Sequence, residues 1–314
     1  MSECKFQRDS FFDRLYERAR ADRNIILVAA DMSAPTLDKF RTDLPSQFVN
    51  VGIAEQNAIV VASGLALAGK KVFAYAISPF ITLRALEQIR VSNCIMNIPL
   101  TIVGMGTGLS YENDGPTHHL VEDIAVMRAF PNITIHNITD AGMARAFVDL
   151  SCDKTTTNYI RLDKDAYPDL YEAGFDFSQG MAQIRGGKDC LLLTSGVMAH
   201  VAMEVAHTLQ GQGIDIGVVD LFEIPLRRNS LLDLLRDCRR LVTLEEHFLP
   251  GGLGSAVYEV LGDANRVLPM KRIGMSIEDG YAFSYKYGGR NVIRKHHGID
   301  AASVCEKVAA FIRQ

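Results

Sequence analysis

Apolar residues recur along this chain in two alternating rhythms. Short unbroken runs suit strands buried on both faces, and apolar positions three or four apart suit helices. Phe11, Phe12, Leu15, Tyr16 and Ala19 give a helical stripe, and Ile25 to Ala30 is an apolar run that predicts the first buried strand. Asp31 opens a polar loop, DMSAPT, and Phe48 to Val51 predicts a second short strand. Further strands are expected at Val72 to Ile77, Leu100 to Gly104, Ile133 to Ile135 and Thr157 to Ile160, with a helix over Ala141 to Cys152. Ser78 and Pro79 read as a helix start, with Ser as the cap and Pro at the first helical position; Leu83, Leu86 and Ile89 continue that helix on one face.

The pattern fails from about Asp165 to Lys188, where Pro168, Gly174, Gly180, Gly186 and Gly187 interrupt it. It resumes with strands at Leu191 to Thr194, Ile216 to Val219 and Leu241 to Leu244. Helices are expected at His200 to Leu209, Ser230 to Cys238, Gly254 to Leu261 and Ala301 to Arg313. Alternating strands and helices predict an α/β chain of two domains with mostly parallel sheets, residues 1–165 and 188–314, joined by a linker at 166–187. The absence of a short-period repeat argues against a solenoid.

One stretch, NVGIAEQNAIVVASGLALAG from Asn50 to Gly69, stands apart. Gly52 allows a sharp turn before a nearly uncharged helix, and Gly69 followed by Lys70 and Lys71 fits its C-terminal stop. Ala54, Ala58, Ala62 and Ala66 fall four apart, a row of small side chains that lets another backbone come close. Apolar on all faces, this helix is expected to be buried. Glu55 at its first turn is then either a cap for free N–H groups or a carboxylate that meets a polar ligand in a dry place.

Composition narrows the classes. The chain has 314 residues, 48% of them hydrophobic, enough core for two domains. A formal charge of −4 with no long basic run points to neither nucleic acid nor a membrane surface as partner. Cys4, Cys94, Cys152, Cys190, Cys238 and Cys305 form no close pair, which argues against a zinc site or a disulfide framework and fits a reducing cytoplasm. The N-terminus reads as an amphipathic surface helix rather than a signal peptide. The interval Val91 to Tyr111 lacks charge, but its Asn, Pro and Gly residues predict a helix end, a turn and a strand, so no membrane span is expected.

Ligands of parallel sheets gather at the carboxyl ends of strands. The loops to search are Asp31 to Thr36, Gly52 to Glu55, and Gly104 to His119. The last, GMGTGLSYENDGPTHHL from Gly104 to Leu120, is long and polar and carries Asp114, His118 and His119. It either lines a site or is a glycine-rich surface loop with solvated histidines. A metal site is disfavoured, because neighbouring histidines seldom point at one ion and no carboxylate has ligand spacing.

GIAEQNAIVVASGLALAG, SPFITLRALEQIR and DGPTHHLVEDIAVMRAFPN, in that order, resemble the pyrimidine-binding domain of transketolases, which use thiamine diphosphate. The trailing LEEHFLPGGLGSAV resembles the C-terminal domain of the same superfamily, so the resemblance covers nearly the whole chain. It implies transfer of a two-carbon ketol unit from a ketose, phosphorylated or otherwise anionic, to an aldose. Such enzymes hold the diphosphate and Mg²⁺ on another domain with a Gly-Asp-Gly motif. Here Gly262-Asp263-Ala264 lacks the second Gly, and no domain-sized segment precedes Asp31. The resemblance thus implies the C-terminal half of a split transketolase. Its partner would be an N-terminal subunit carrying the diphosphate-binding domain, in an α2β2 assembly.

The resemblance also implies roles. Glu55 falls on the glutamate that hydrogen-bonds N1′ of the aminopyrimidine, where sharing a proton favours the imino form that deprotonates the thiazolium C2. Phe80 is the candidate stacking aromatic, beside Ile81, where the family often supplies two or three aromatics. His118 matches the histidine that contacts substrate hydroxyls, and Asp114 the acidic residue that reads a donor hydroxyl. Asp31 and Thr36 fall in the loop facing the thiazolium and the substrate channel. Arg161 matches an arginine that holds an acceptor phosphate; its bland alternative is an ion pair with Asp163 or Asp165. Glu246 and His247 read as a polar cluster at a strand end in a mainly structural domain, and the alanine row of the Glu55 helix as a surface for the partner. Three alternatives stay open: a deoxyxylulose-phosphate synthase-like subunit, an oxo-acid dehydrogenase β-like subunit, and a non-catalytic scaffold for an N-terminal half.

Overall fold

Apolar runs too short for helices do become strands, and most are buried along their full length. The computed structural model describes residues 4–32, 35–278 and 280–314, and the backbone alone at Thr36, Phe283 and Ser284. The chain forms two units: one runs to Ser110 and adds Met127–Phe175, and the other comprises Tyr111–Val126 and Asp176–Gln314.

In the first unit β1 (Ile25–Ala29), β2 (Phe48–Asn50), β3 (Lys71–Ile77), β4 (Thr101–Met105), β5 (Ile133–Asn137) and β6 (Thr157–Leu162) lie parallel, in the order β5-β6-β4-β3-β1-β2. Phe11 and Phe12 of α1 (Gln7–Ala21) meet Phe73 and Tyr75, alternate residues that share one face of β3. The other helices that matter here are α2 (Pro35–Asp43), α3 (Glu55–Leu67) and α4 (Ala141–Cys152). Asp140 caps α4, accepting from the Met143 amide at 2.7 Å, and also accepts from the amides of Leu170 and Tyr171.

In the second unit β7 (Ala182–Arg185), β8 (Cys190–Thr194), β9 (Ile216–Asp220), β10 (Leu241–Phe248) and β11 (Met270–Met275) run in the order β11-β10-β8-β9-β7, all parallel except β7. Helices α5 (Met198–Gln210), α6 (Leu253–Asp263), α7 (Arg290–His297) and α8 (Ala301–Ile312) accompany it. No helix among the described residues is long and apolar enough to cross a membrane.

Three expectations change. The stretch 166–187 is not plain linker: Ala166–Tyr167 pairs with Lys5–Phe6, and β7 joins the second sheet. Those short pairings are made by backbone hydrogen bonds, which an apolar pattern does not record. Secondly, the helix that starts at Ser78 stops at Ile81, and Ser78 makes no cap bond. Thr82 Oγ1 donates back to the Ser78 carbonyl at 2.6 Å, a bond that bends helices, and the chain resumes as Leu86–Gln88 and a π-helical turn over Ile89–Ile95. Finally, α3 is not buried on all sides. Its alanines Ala58, Ala62 and Ala66 face inward in a helix that packs on β3 and β1, so the small row serves this chain's own sheet. The exposed face instead carries Asn57, Val60, Gly64 and Leu67, with Leu67 70% exposed.

Candidate active site

Because the strands of the first sheet are parallel, the loops after β1, β2, β3 and β6 emerge at one edge. The chain leaves β1 toward β2 but leaves β3 toward β4, so connections diverge between these two neighbours. A crevice at such a switch point is where open α/β sheets bind ligands. Asn50 ties the loops there together: its Oδ1 accepts from the Asp31 amide at 3.1 Å and the Gly52 amide at 3.0 Å. Both turns are left-handed, with φ of 50° at Asp31 and 73° at Gly52, and Gly52 allows the turn that leads into α3. Sequence reasoning did not single out Asn50. Its position at the end of a strand, two residues before a glycine, is the signal that was available.

Glu55 opens α3 with its side chain only 4% exposed, and its carboxylate does not cap the helix. Oε2 instead accepts from Arg84 Nη1 at 2.7 Å, and the same guanidinium carbon lies 4.1 Å from the centroid of the Phe80 ring. Arg84 is 45% exposed. It reaches Glu55 because the helix breaks at Thr82; the Arg84 amide donates to the Pro79 carbonyl and the Arg84 carbonyl accepts from Gln56 Nε2. Phe80 is half-buried, whereas Ile81 has no accessible surface. Close approach fixes this segment: a Cβ on Gly104 of β4 would meet Ser78 Oγ at 2.7 Å. Glu55, Arg84 and Phe80 thus form one cluster, and Arg84 is the member that sequence reasoning missed.

Asp31 is exposed at the same edge. Thr36 lies in α2, and its side chain falls outside the described residues, as do residues 33 and 34 of that loop. Arg161 is buried near the carboxyl end of β6, paired in register with Asn137 of β5, and its Nη1 donates to Asn137 Oδ1. Neighbouring Asp163 is 2% exposed and accepts from Ser110 Oγ and the Asp165 amide.

The histidine loop belongs to the second unit. Asp114 is exposed, and His118 is half-buried with Nδ1 2.9 Å from Thr117 Oγ1 and its ring 5.5 Å from that of Tyr111. His119 is buried; burial pushes its imidazole down, against the pull of the Glu246 carboxylate. The loop is anchored farther on. The Phe248 amide donates to the Val121 carbonyl at 2.8 Å, and Tyr281 Oη donates to Glu122 Oε1 at 2.9 Å. Burial raises the Glu122 carboxyl. Glu246 lies within β10, bound by Arg290 Nη2 at 2.6 Å and Arg294 Nε at 2.5 Å, with all three side chains less than 10% exposed. Glu246 and His247 thus lie in the last residues of β10, at the strand end, and the trailing unit also holds the segment that carries Asp114 and His118.

Among the described residues no group of three His, Cys, Asp or Glu side chains is placed to hold a metal ion. Gly262 and Asp263 end α6, and Asp263 makes an exposed ion pair with Arg228 at 3.6 Å.

Comparison with known proteins places the two halves of the chain in known domain families. The transketolase pyrimidine-binding domain model matches residues 7–169, and the transketolase C-terminal domain model matches residues 180–304. The chain is 34% identical over 311 residues to one of the subunits of the apulose-4-phosphate transketolase of Phocaeicola vulgatus, covering 98% of this chain and 97% of that one. It is 32% identical over 271 residues to a 6-deoxy-6-sulfo-D-fructose transketolase subunit of a Clostridium species, covering 85% and 84%. A solved split-gene transketolase, an inactive β4 tetramer, superposes with a TM-score of 0.87 at 30% identity over 98% of both chains. The chain belongs to the transketolase family, carrying its pyrimidine-binding and C-terminal domains in the manner of the subunits of split transketolases.

Proposed function

We propose that this chain is the pyrimidine-binding subunit of a two-chain transketolase that transfers a two-carbon ketol unit from an anionic ketose to an aldose. One observation carries the reading. Glu55, nearly sealed at a sheet switch point, already binds a planar N–H-bearing group that lies over Phe80. An aminopyrimidine asks for the same two contacts, an aromatic face and a carboxylate opposite a ring nitrogen. The residues present therefore fit this half of thiamine diphosphate. When bound, that cofactor supplies the carbon centre that carries the ketol unit between sugars.

In this reading Glu55 holds the proton shared with N1′, Phe80 gives the stacking face, and Ile81 backs it from within the core. Asp31 and Thr36 border the cofactor, while Asp114 and His118 read substrate hydroxyls. Arg161, a guanidinium fork at the sheet edge, suits a phosphate or a sulfonate equally. The names of the two relatives point to those two sugar classes. The diphosphate and Mg²⁺ fall to an N-terminal transketolase subunit in an α2β2 assembly, and the exposed face of α3 is where that subunit covers this one. Six free thiols, with Cys94 pushed up to about 11 and Cys190 to about 12 by burial, suit a reducing cytoplasm.

Reconstitution tests the proposal. Mixing the chain with its N-terminal partner, thiamine diphosphate and Mg²⁺ should give ketol transfer from a ketose, and neither chain alone should give it. Carbon dioxide release from pyruvate would favour a deoxyxylulose-phosphate synthase-like or oxo-acid dehydrogenase-like subunit. Ketol transfer by this chain alone would contradict the two-chain reading.

A further inference from the structure

We propose that the Arg84 guanidinium holds the place of the cofactor's pyrimidine ring and must swing out for the cofactor to enter. The inference rests on the reading of Glu55 as the pyrimidine carboxylate. The two contacts Arg84 makes, 2.7 Å to Glu55 Oε2 and 4.1 Å to the centre of Phe80, are the two that an aminopyrimidine needs. One planar group fills that position at a time.

The parts differ in their freedom to move. Glu55 is fixed in the first turn of α3 and 4% exposed, whereas the Arg84 side chain is 45% exposed. The Arg84 backbone is pinned by its bonds to Pro79 and Gln56, so a change of side-chain rotamer toward solvent needs no backbone movement. A buried carboxylate without a partner is costly, and Arg84 removes that cost until a better partner arrives. Breaking the pair then becomes part of the work of cofactor binding. A ligand that offers both a flat face and a ring nitrogen able to share a proton with the Glu55 carboxyl displaces the guanidinium, and one that lacks either does not.

The competing idea, that Arg84 stays and helps bind the cofactor, predicts a change of opposite sign. The test is calorimetric titration of thiamine diphosphate, at saturating Mg²⁺, into the assembled two-chain protein carrying wild-type chain, Arg84→Met, Arg84→Lys or Glu55→Gln. Arg84→Met should tighten binding about tenfold. Arg84→Lys, which keeps the charge but loses the planar fork, should fall between. In the Glu55→Gln background the effect of Arg84→Met should vanish, as expected when two residues act through one contact. Weaker or unchanged binding in Arg84→Met, with Glu55→Gln still weakening it, overturns the role of Arg84 alone. A Glu55→Gln protein that binds as tightly as wild type overturns the reading of Glu55 instead.

Discussion

Glu55 and Glu246 are both nearly sealed from water and paired with arginine, and their partners differ in freedom. Glu246 is gripped by two arginines, Arg290 and Arg294, each less than 10% exposed, so the triad is closed on every side. Glu55 has one arginine, nearly half of which faces solvent. The sealed pair fixes β10 to α7 and lies beside the histidine loop. The open pair can change partners. Burial of the carboxylate alone therefore does not separate structure from chemistry, and neither does an exposed partner alone, since buried Glu223 pairs with half-exposed Arg227. What sets Glu55 apart is an exposed partner that also lies over the Phe80 ring at a sheet switch point.

The largest effect should come from the open side. Glu55→Gln in the reconstituted enzyme is expected to lower turnover by about 10²–10⁴ while melting temperature and assembly stay as in wild type, measured by coupled assay and thermal denaturation. Near-normal turnover would make the chain a scaffold. On the sealed side, Glu246→Ala should destabilise the second unit by about 3–5 kcal/mol, since it strands two buried guanidinium groups. Chemical denaturation followed by circular dichroism reads that loss, and a change under about 1 kcal/mol would erase the contrast.

Smaller effects sharpen the same contrast. Asp140→Ala removes a cap and the acceptor of two further amide N–H groups, and should cost about 1–2 kcal/mol of stability without changing cofactor affinity. His119 gives a pH signature. Burial lowers its imidazole in the folded chain, so between that lowered value and the ordinary one the unfolded chain binds more protons, and stability rises with pH across that window. Acidification from about pH 7 to about pH 5 should therefore cost wild type more stability than His119→Asn. Equal slopes would remove His119 from the buried set.

Much of the fold was legible because strands such as Ile25–Ala29 are apolar along their length, Thr101–Met105 is apolar after its first residue, and Ala141–Cys152 follows its helical period end to end. Glu55, at the junction of a glycine turn and an uncharged helix, could be picked out on its own. Arg84 could not. Its place depends on a break at Thr82 made by one side-chain hydrogen bond, where apolar spacing predicts continuous helix. The partners of Glu246 lie 44 and 48 residues away in a helix that the apolar pattern did not mark. The outward face of α3 was hidden for a different reason. Val60 and Leu67 are apolar yet exposed, and a pattern records polarity rather than which side the sheet takes.

A crystal structure of the assembled two-chain enzyme with thiamine diphosphate and Mg²⁺ tests the central claim most directly. The account predicts Glu55 hydrogen-bonded to the pyrimidine ring nitrogen, Phe80 stacked on that ring, Arg84 turned out to solvent, and the Glu246 triad unchanged. A pyrimidine bound elsewhere, with Arg84 still on Glu55, would contradict it.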